Sequence, residues 1–201
     1  MAVPRPDTLH HTYADYLTRP DGRRDELIDG VAYVKEPPAP LRSHQEVVGE
    51  LYLQIRLALE GKPWRAYVAP FDVRLPKAGE ADAQVDTVVQ PDVLVVRDLG
   101  KLDQRGMRGP PDWLAEVLSP ATASHDQVVK LPVYERAGVP EVWLVHPIDR
   151  IVTIYRLEDG RYGRPTVLDM KGRTLLSAIP GVIIDWDRLP GEPASLRLGR
   201  N

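Results

Sequence analysis

The chain has 201 residues, with 26 Lys plus Arg against 29 Asp plus Glu, a formal charge of −3 and no cysteine. That balance excludes a protein that coats itself with nucleic acid, so any polyanion partner has to be held by a local patch or a metal, and the missing thiols exclude disulfides and thiolate catalysis. No run reaches the length of a membrane span and the N-terminal stretch lacks the apolar core of a signal peptide, so the expectation is a soluble, cytoplasmic protein.

By size scaling a chain of this length buries about 70% of its unfolded surface, which suits one core. Residues 1–188 read as a single domain, and the Pro/Gly-containing segment 189–201 as a loosely held tail. In chain order, "DTLHHTYADYLTRP" predicts a short amphipathic helix capped by Asp7 or Thr8 and closed before Pro20. "ELIDGVAYV" predicts a hairpin turning at Asp29-Gly30. "SHQEVVGELYLQIRLALEG" predicts the best helix, with Ser43 and Glu46 in capping-box spacing, an apolar face of Val47, Val48, Leu51, Ile55 and Leu59, and Gly61 just past its end.

"WRAYVAP" and "FDVRL" read as consecutive strands, and the β-branched run "VVQPDVLVV" as a strand buried on both faces. "RDLGKLDQRGMRGPP" reads as a mildly basic loop. "WLAEVLSP" is a strand, and "SHDQVVKLPVYERAG" a helix with Ser124 and Gln127 in capping-box spacing. "EVWLVHP" and "IVTIYRL" form a hairpin, followed by short strands in "TVLDM", "TLLS" and "GVIIDW". The pattern predicts an α/β fold with one mixed sheet flanked by helices. A parallel crossover over residues 113–146 sets Glu116 and the start of the helix at the carboxyl edge of that sheet, where open α/β sheets place their ligands.

One carboxylate inside an apolar strand, Glu116, is expensive unless a cation or several donors compensate it. Asp92 stands at the mouth of "VLVV" behind Pro91. If the two strands adjoin, the carboxylates come close enough to require a cation, and a divalent ion such as Mg²⁺ or Mn²⁺ on oxygen ligands meets that need. Lys130, on the following helix, brings an ammonium to orient water or to offset charge on a phosphate. Taken alone, Pro91-Asp92 is also a strand-entry turn, Lys130 also half of an i, i+4 pair with Asp126, and Glu26 also a hairpin cap. His10, His11, His125 and His146 lack zinc spacing, and the four Trp residues read as packing.

The ordered set "ELIDG", "SHQ", "APFDVRL", "VQPDVLVV", "PDWLAEVLSPAT", "D…K…Y", "GVPEVWLVHP" and "IVTIYRL" resembles the Uma-type family of putative restriction endonucleases, in the PD-(D/E)XK nuclease superfamily. The resemblance implies a restriction-endonuclease-like core and metal-dependent hydrolysis of DNA phosphodiesters. It makes Asp92 and Glu116 the metal ligands, Lys130 the catalytic lysine, Glu26 a further site residue, and His44, Gln45 and Tyr134 accessory residues. DNA is the implied partner, a homodimer the simplest assembly for a double-strand cut, and Lys101, Arg105 and Arg108 the candidate backbone contacts. Leu118 stands where an E-x-K motif carries its lysine, so the cation has to come from Lys130, and Pro132 sets a kink just after it. The alternatives are a nucleic-acid-binding or regulatory protein with decayed catalysis, and a metal-independent carboxylate-pair hydrolase.

Overall fold

Residues 9–18, 25–34 and 41–190 are described by the computed structural model. The first helix contracts to α1 (Tyr13–Tyr16). Its cap is Thr12, whose N–H donates to the Asp15 carboxylate at 2.8 Å; the predicted caps Asp7 and Thr8 lie outside the described residues. The hairpin forms as expected between β1 (Asp25–Ile28) and β2 (Val31–Val34), with Asp29 and Gly30 at φ 49° and 78°. Two successive left-handed residues match the twist of the paired strands, which is why Asp-Gly serves there.

Helix α2 (Arg42–Ala58) buries Val47, Val48, Leu51, Gln54 and Ile55. The predicted capping box does not form: Ser43 lies inside the helix, Leu41 caps it without a side-chain bond, and Glu46 pairs with Arg42 one turn earlier. An i, i+4 ion pair has taken the glutamate that the cap required.

Strands β3 (Arg65–Val68) and β4 (Asp72–Arg74) follow. The run "VVQPDVLVV" is two strands, β5 (Val88–Val89) and β6 (Val93–Val96), both wholly buried. Pro91 has no N–H for a ladder, so pairing stops and the chain crosses from one sheet to another. The segment read as a basic loop contains a small hairpin, β7 (Leu102–Asp103) with β8 (Gly106–Arg108). After β9 (Trp113–Val117) comes a π-helical turn, His125–Lys130, running into α3 (Leu131–Ala137). Then follow β10 (Glu141–His146), β11 (Ile151–Glu158), β12 (Arg161–Tyr162), β13 (Thr166–Asp169), β14 (Arg173–Leu175) and β15 (Ile183–Asp185).

The single predicted sheet is therefore two mixed sheets, ordered β2-β1-β5-β4-β8-β7 and β12-β11-β10-β9-β6-β3, with β13 on β11 and β14-β15 as a separate pair. Strands β9 and β10 are parallel across α3, as the crossover requires. One face of the larger sheet, Val93, Val95, Trp113, Ala115, Trp143, Val145 and Val152 among others, packs under α2, with Trp143 edge-on to Trp113 and tilted against Trp186. The opposite face, with Leu94, Leu114 and Leu144, packs against the smaller sheet and α3. Leu189, at the start of the predicted tail, packs partly buried against the first of these clusters, and residues 191–201 lie outside the described range. Among the described residues no helix is long and apolar enough to cross a membrane.

Gln54 fastens the last strand to α2 by imitating a backbone. Its amide donates to Asp185 O at 2.9 Å and accepts from Asp185 N at 2.8 Å. Gln54→Ala leaves both groups unpaired beside a core helix and is expected to cost about 1–3 kcal/mol, read as a shift in the urea midpoint at unchanged m-value.

Candidate active site

The site is set by the pairing of β6 with β9, antiparallel with Val93 opposite Ala115. One step further along this register, Asp92 stands opposite Glu116. Both side chains belong to the face that carries Leu94 and Leu114, since alternate residues share a side. The ends of Asp92 are tied down: its carbonyl accepts Ala69 N–H at 3.1 Å, and its Oδ2 accepts Val117 N–H at 2.7 Å and lies 3.3 Å from His44 Nε2.

Lys130 arrives from the π-helical turn. Pro132 lacks an N–H, and its ring would clash with the carbonyl four residues back in an α-helix; the wider π turn accommodates it. The predicted Ser124–Gln127 cap does not form for the same local reason. Ser124 is already helical, and the Gln127 side chain donates to Ala123 O at 3.1 Å. The turn aims Lys130 inward, and its side chain is completely buried. Its Nζ lies 2.6 Å from Glu116 Oε1, 2.8 Å from Glu26 Oε1 and 3.6 Å from Asp126 Oδ1. These are close ion pairs whose angles fall short of hydrogen-bond geometry. Tyr134, one turn on, donates its hydroxyl to the same Glu116 oxygen.

Glu26 is held from three sides: Gln90 N–H donates to its Oε1 at 2.9 Å, Lys130 faces that oxygen, and His125 Nε2 is 3.1 Å from its Oε2. Tyr33 packs its ring on His125 at 4.7 Å between centroids. The cluster joins both sheets, Glu26 coming from β1 and Glu116 from β9.

Three carboxylates around one lysine leave an excess of negative charge in a dry place. Burial pushes the Glu116 carboxyl up to about 8; Lys130 pulls it down, and Asp126, Asp92 and Glu26 add to the rise. Burial works against the Lys130 ammonium, but Glu116 and Glu26 outweigh it and hold the amine well above the usual lysine range. Burial, with Glu116 alongside, likewise holds the Tyr134 phenol well above its ordinary value. Lys130 is thus a fixed cation and Tyr134 a fixed donor.

Of the residues singled out in the sequence, Asp92, Glu116, Lys130, Glu26, Tyr134 and His44 come together here. Gln45 does not: it is exposed on α2. Lys101, Arg105 and Arg108 lie on or beside the β7–β8 hairpin of the other sheet; Lys101 Nζ donates to Pro110 O at 2.8 Å, and Arg108 donates to Glu80 O at 2.6 Å and faces Asp82 at 3.3 Å. His125 and the backbone of Gln90 are site components the sequence reading did not pick out. Asp126 entered it only as a surface partner of Lys130, yet it is buried.

Among the described residues, one oxygen on each side of the strand pair has no protein partner: Asp92 bonds through Oδ2 and Glu116 through Oε1, which leaves Asp92 Oδ1 and Glu116 Oε2. No group of three or more His, Cys, Asp or Glu among these residues is disposed to enclose a metal. Two carboxylate oxygens with the remaining positions open suit Mg²⁺, which keeps several waters and takes substrate phosphate oxygens, better than a metal that demands a full protein cage.

The frame is mixed α/β, with acidic residues opposite each other on the neighbouring strands β6 and β9 and a buried lysine beside them. The crystal structure of a putative nuclease belonging to DUF820 from Anabaena variabilis ATCC 29413 has the same fold, with a TM-score of 0.68 at 19% identity over 89% of this chain and 96% of that one. Comparison with curated proteins gave no match. A family model, Uma2: Putative restriction endonuclease, matches residues 11–187, and the chain belongs to that family.

Proposed function

We propose that the protein is a metal-dependent endonuclease that hydrolyses DNA phosphodiesters, with Asp92 and Glu116 as the ligands of Mg²⁺ or Mn²⁺. The observation that carries this reading is the unengaged oxygen on each of two opposed carboxylates, with the Lys130 ammonium beside one of them. When bound, the divalent ion supplies Lewis acidity toward a phosphate oxygen and acidifies a bound water. Lys130, kept protonated, is no base; its charge offsets negative charge gathering on the phosphate. Glu26, Gln90 N–H and His125 hold Lys130 in that place, and Tyr134 fixes the rotamer of Glu116 by donating to Oε1. His44 and Val117 N–H do the same for Asp92. A two-fold dimer would cut both strands with one such site per chain.

The deciding experiment incubates supercoiled plasmid with purified protein in Mg²⁺, in Mn²⁺ and in chelator. Nicked and linear products are expected with either ion and none in chelator. Intact plasmid, together with no Mn²⁺ bound by electron paramagnetic resonance, overturns the reading. The complete burial of Lys130 between Glu26 and Glu116 favours a second reading, in which this lysine has taken the metal's place and only DNA binding persists. Binding in chelator that survives Glu116→Ala, with no cleavage in any metal, would select it.

A further inference from the structure

Strand β3 is the open edge of the larger sheet. Where the C-terminal turn of α2 meets it there is a recess of about 550 Å³, into which Arg56, Lys62 and Arg65 project with one carboxylate, Glu60. Among the described residues neither Arg56 nor Lys62 has an ion pair or side-chain hydrogen bond. Arg65 donates only to carbonyls, Trp64 O at 3.0 Å and Lys62 O at 3.4 Å, which orients the guanidinium without neutralising it. Arg97 extends the line: it follows Val96, the partner of Arg65 in the ladder, and lies over the Trp64 ring at 5.5 Å.

A single cation at a helix C-terminus, such as Arg56, complements the helix dipole and needs no ligand. Four along one edge, with Glu60 and the Asp112 carboxylate that accepts Arg97 N–H at 2.7 Å as the acids beside them, leave a local positive excess in a chain of net charge −3. The edge also has a direction. From Arg65, β3 runs through Tyr67, whose ring stacks on Phe71 at 4.2 Å, to Ala69, whose N–H is bonded to the Asp92 carbonyl. At about 3.3 Å per residue that path is roughly 13 Å long.

We propose that this recess seats the phosphate backbone of duplex DNA, with phosphates on Arg56, Lys62, Arg65 and Arg97, so that the strand continuing along β3 presents a further phosphate at Asp92 and Glu116. The inference rests on the nuclease reading and moves the backbone contact away from Lys101 and Arg108, of which Arg108 faces the Asp82 carboxylate at 3.3 Å. It also accounts for how an acidic protein holds a polyanion, since its cations are grouped where the acids are few.

The test measures binding of a fluorescein-labelled duplex by anisotropy in chelator over a salt series. Wild type is compared with Arg56→Gln/Lys62→Gln/Arg65→Gln and with Lys101→Gln/Arg108→Gln. The triple variant is expected to bind at least about tenfold more weakly at low salt, with a log–log salt slope shallower by about 2–3, while the double variant stays within about twofold of wild type. Circular dichroism and thermal melts establish that the fold is kept; Lys62→Gln alone, with an expected slope change of about 1, covers a triple variant that fails to fold. A wild type that does not bind, or folded variants with unchanged affinity and slope, overturns the recess. If binding depends on these residues but plasmid is never cut, the recess stands and the nuclease reading falls. If plasmid is cut and the variants bind like wild type, the reverse holds.

Discussion

Lys130→Ala is expected to cost about 3–5 kcal/mol of folding stability, the largest effect of any single substitution in the site. The reason is the company the ammonium keeps. Glu26, Glu116 and Asp126 are all buried, and Lys130 is the cation closest to each of the two glutamates. Removing it leaves carboxylates out of water with only His125 and hydrogen-bond donors as compensation, and desolvated charge without a partner is the most costly defect a core can hold. The folded state would respond by taking up protons, so part of the loss should return in acid. Lys130→Met combined with Glu116→Gln removes one carboxylate along with the ammonium and should recover part of the loss, Glu26 and Asp126 still lacking their cation. Urea unfolding of wild type, single and double variants reads both results. A single-variant cost under about 1 kcal/mol would mean that the ammonium does not compensate the acids.

The elements that build this cluster were legible to different degrees. The Asp29-Gly30 hairpin, α2, the buried strand of Glu116 and the parallel crossover into β10 all follow from short-range signals: a turn dipeptide, a 3.6-residue period, an apolar run and a strand–helix–strand order. From them came Asp92, Glu116 and Lys130 as one site. The number of sheets was not legible, because Val88 to Val96 reads as one buried run, and only the missing N–H of Pro91 shows where the chain changes sheet. Both capping boxes were spacing without formation: Glu46 found Arg42, and the Ser124 turn adopted a π geometry that Pro132 imposes from downstream. Pro132 announced a distortion but not its form. His125 was set aside for lacking metal spacing, and that criterion cannot see a histidine whose partner, Glu26, is 99 residues away in the chain. The basic stretch 97–108 showed charge but not its neighbours, and in the fold two of its four cations, Lys101 and Arg108, point at Pro110 O, Glu80 O and Asp82.

Glu116→Gln is expected to lower metal-dependent cleavage by about 10³-fold or more while leaving the melting temperature close to wild type. The amide keeps the shape of the side chain and an oxygen to accept the Tyr134 hydroxyl. It also stands in for a group that burial already pushes toward its neutral form, so the folded state loses little. What it lacks is the negative oxygen a hard cation requires, and an amide carbonyl is a much weaker ligand for Mg²⁺. Asp92→Asn should behave alike: its carbonyl still accepts Val117 N–H, and only the charge is gone. Mn²⁺ titration of the two variants separates their role in holding the ion from any effect on the fold. Weak Mn²⁺ binding with an unchanged melt assigns the loss to the ligands, because Lys130 keeps Glu26 as a partner in either variant. Cleavage by Glu116→Gln at the wild-type rate would remove this carboxylate from the chemistry, leaving its burial beside Lys130 as a matter of packing alone.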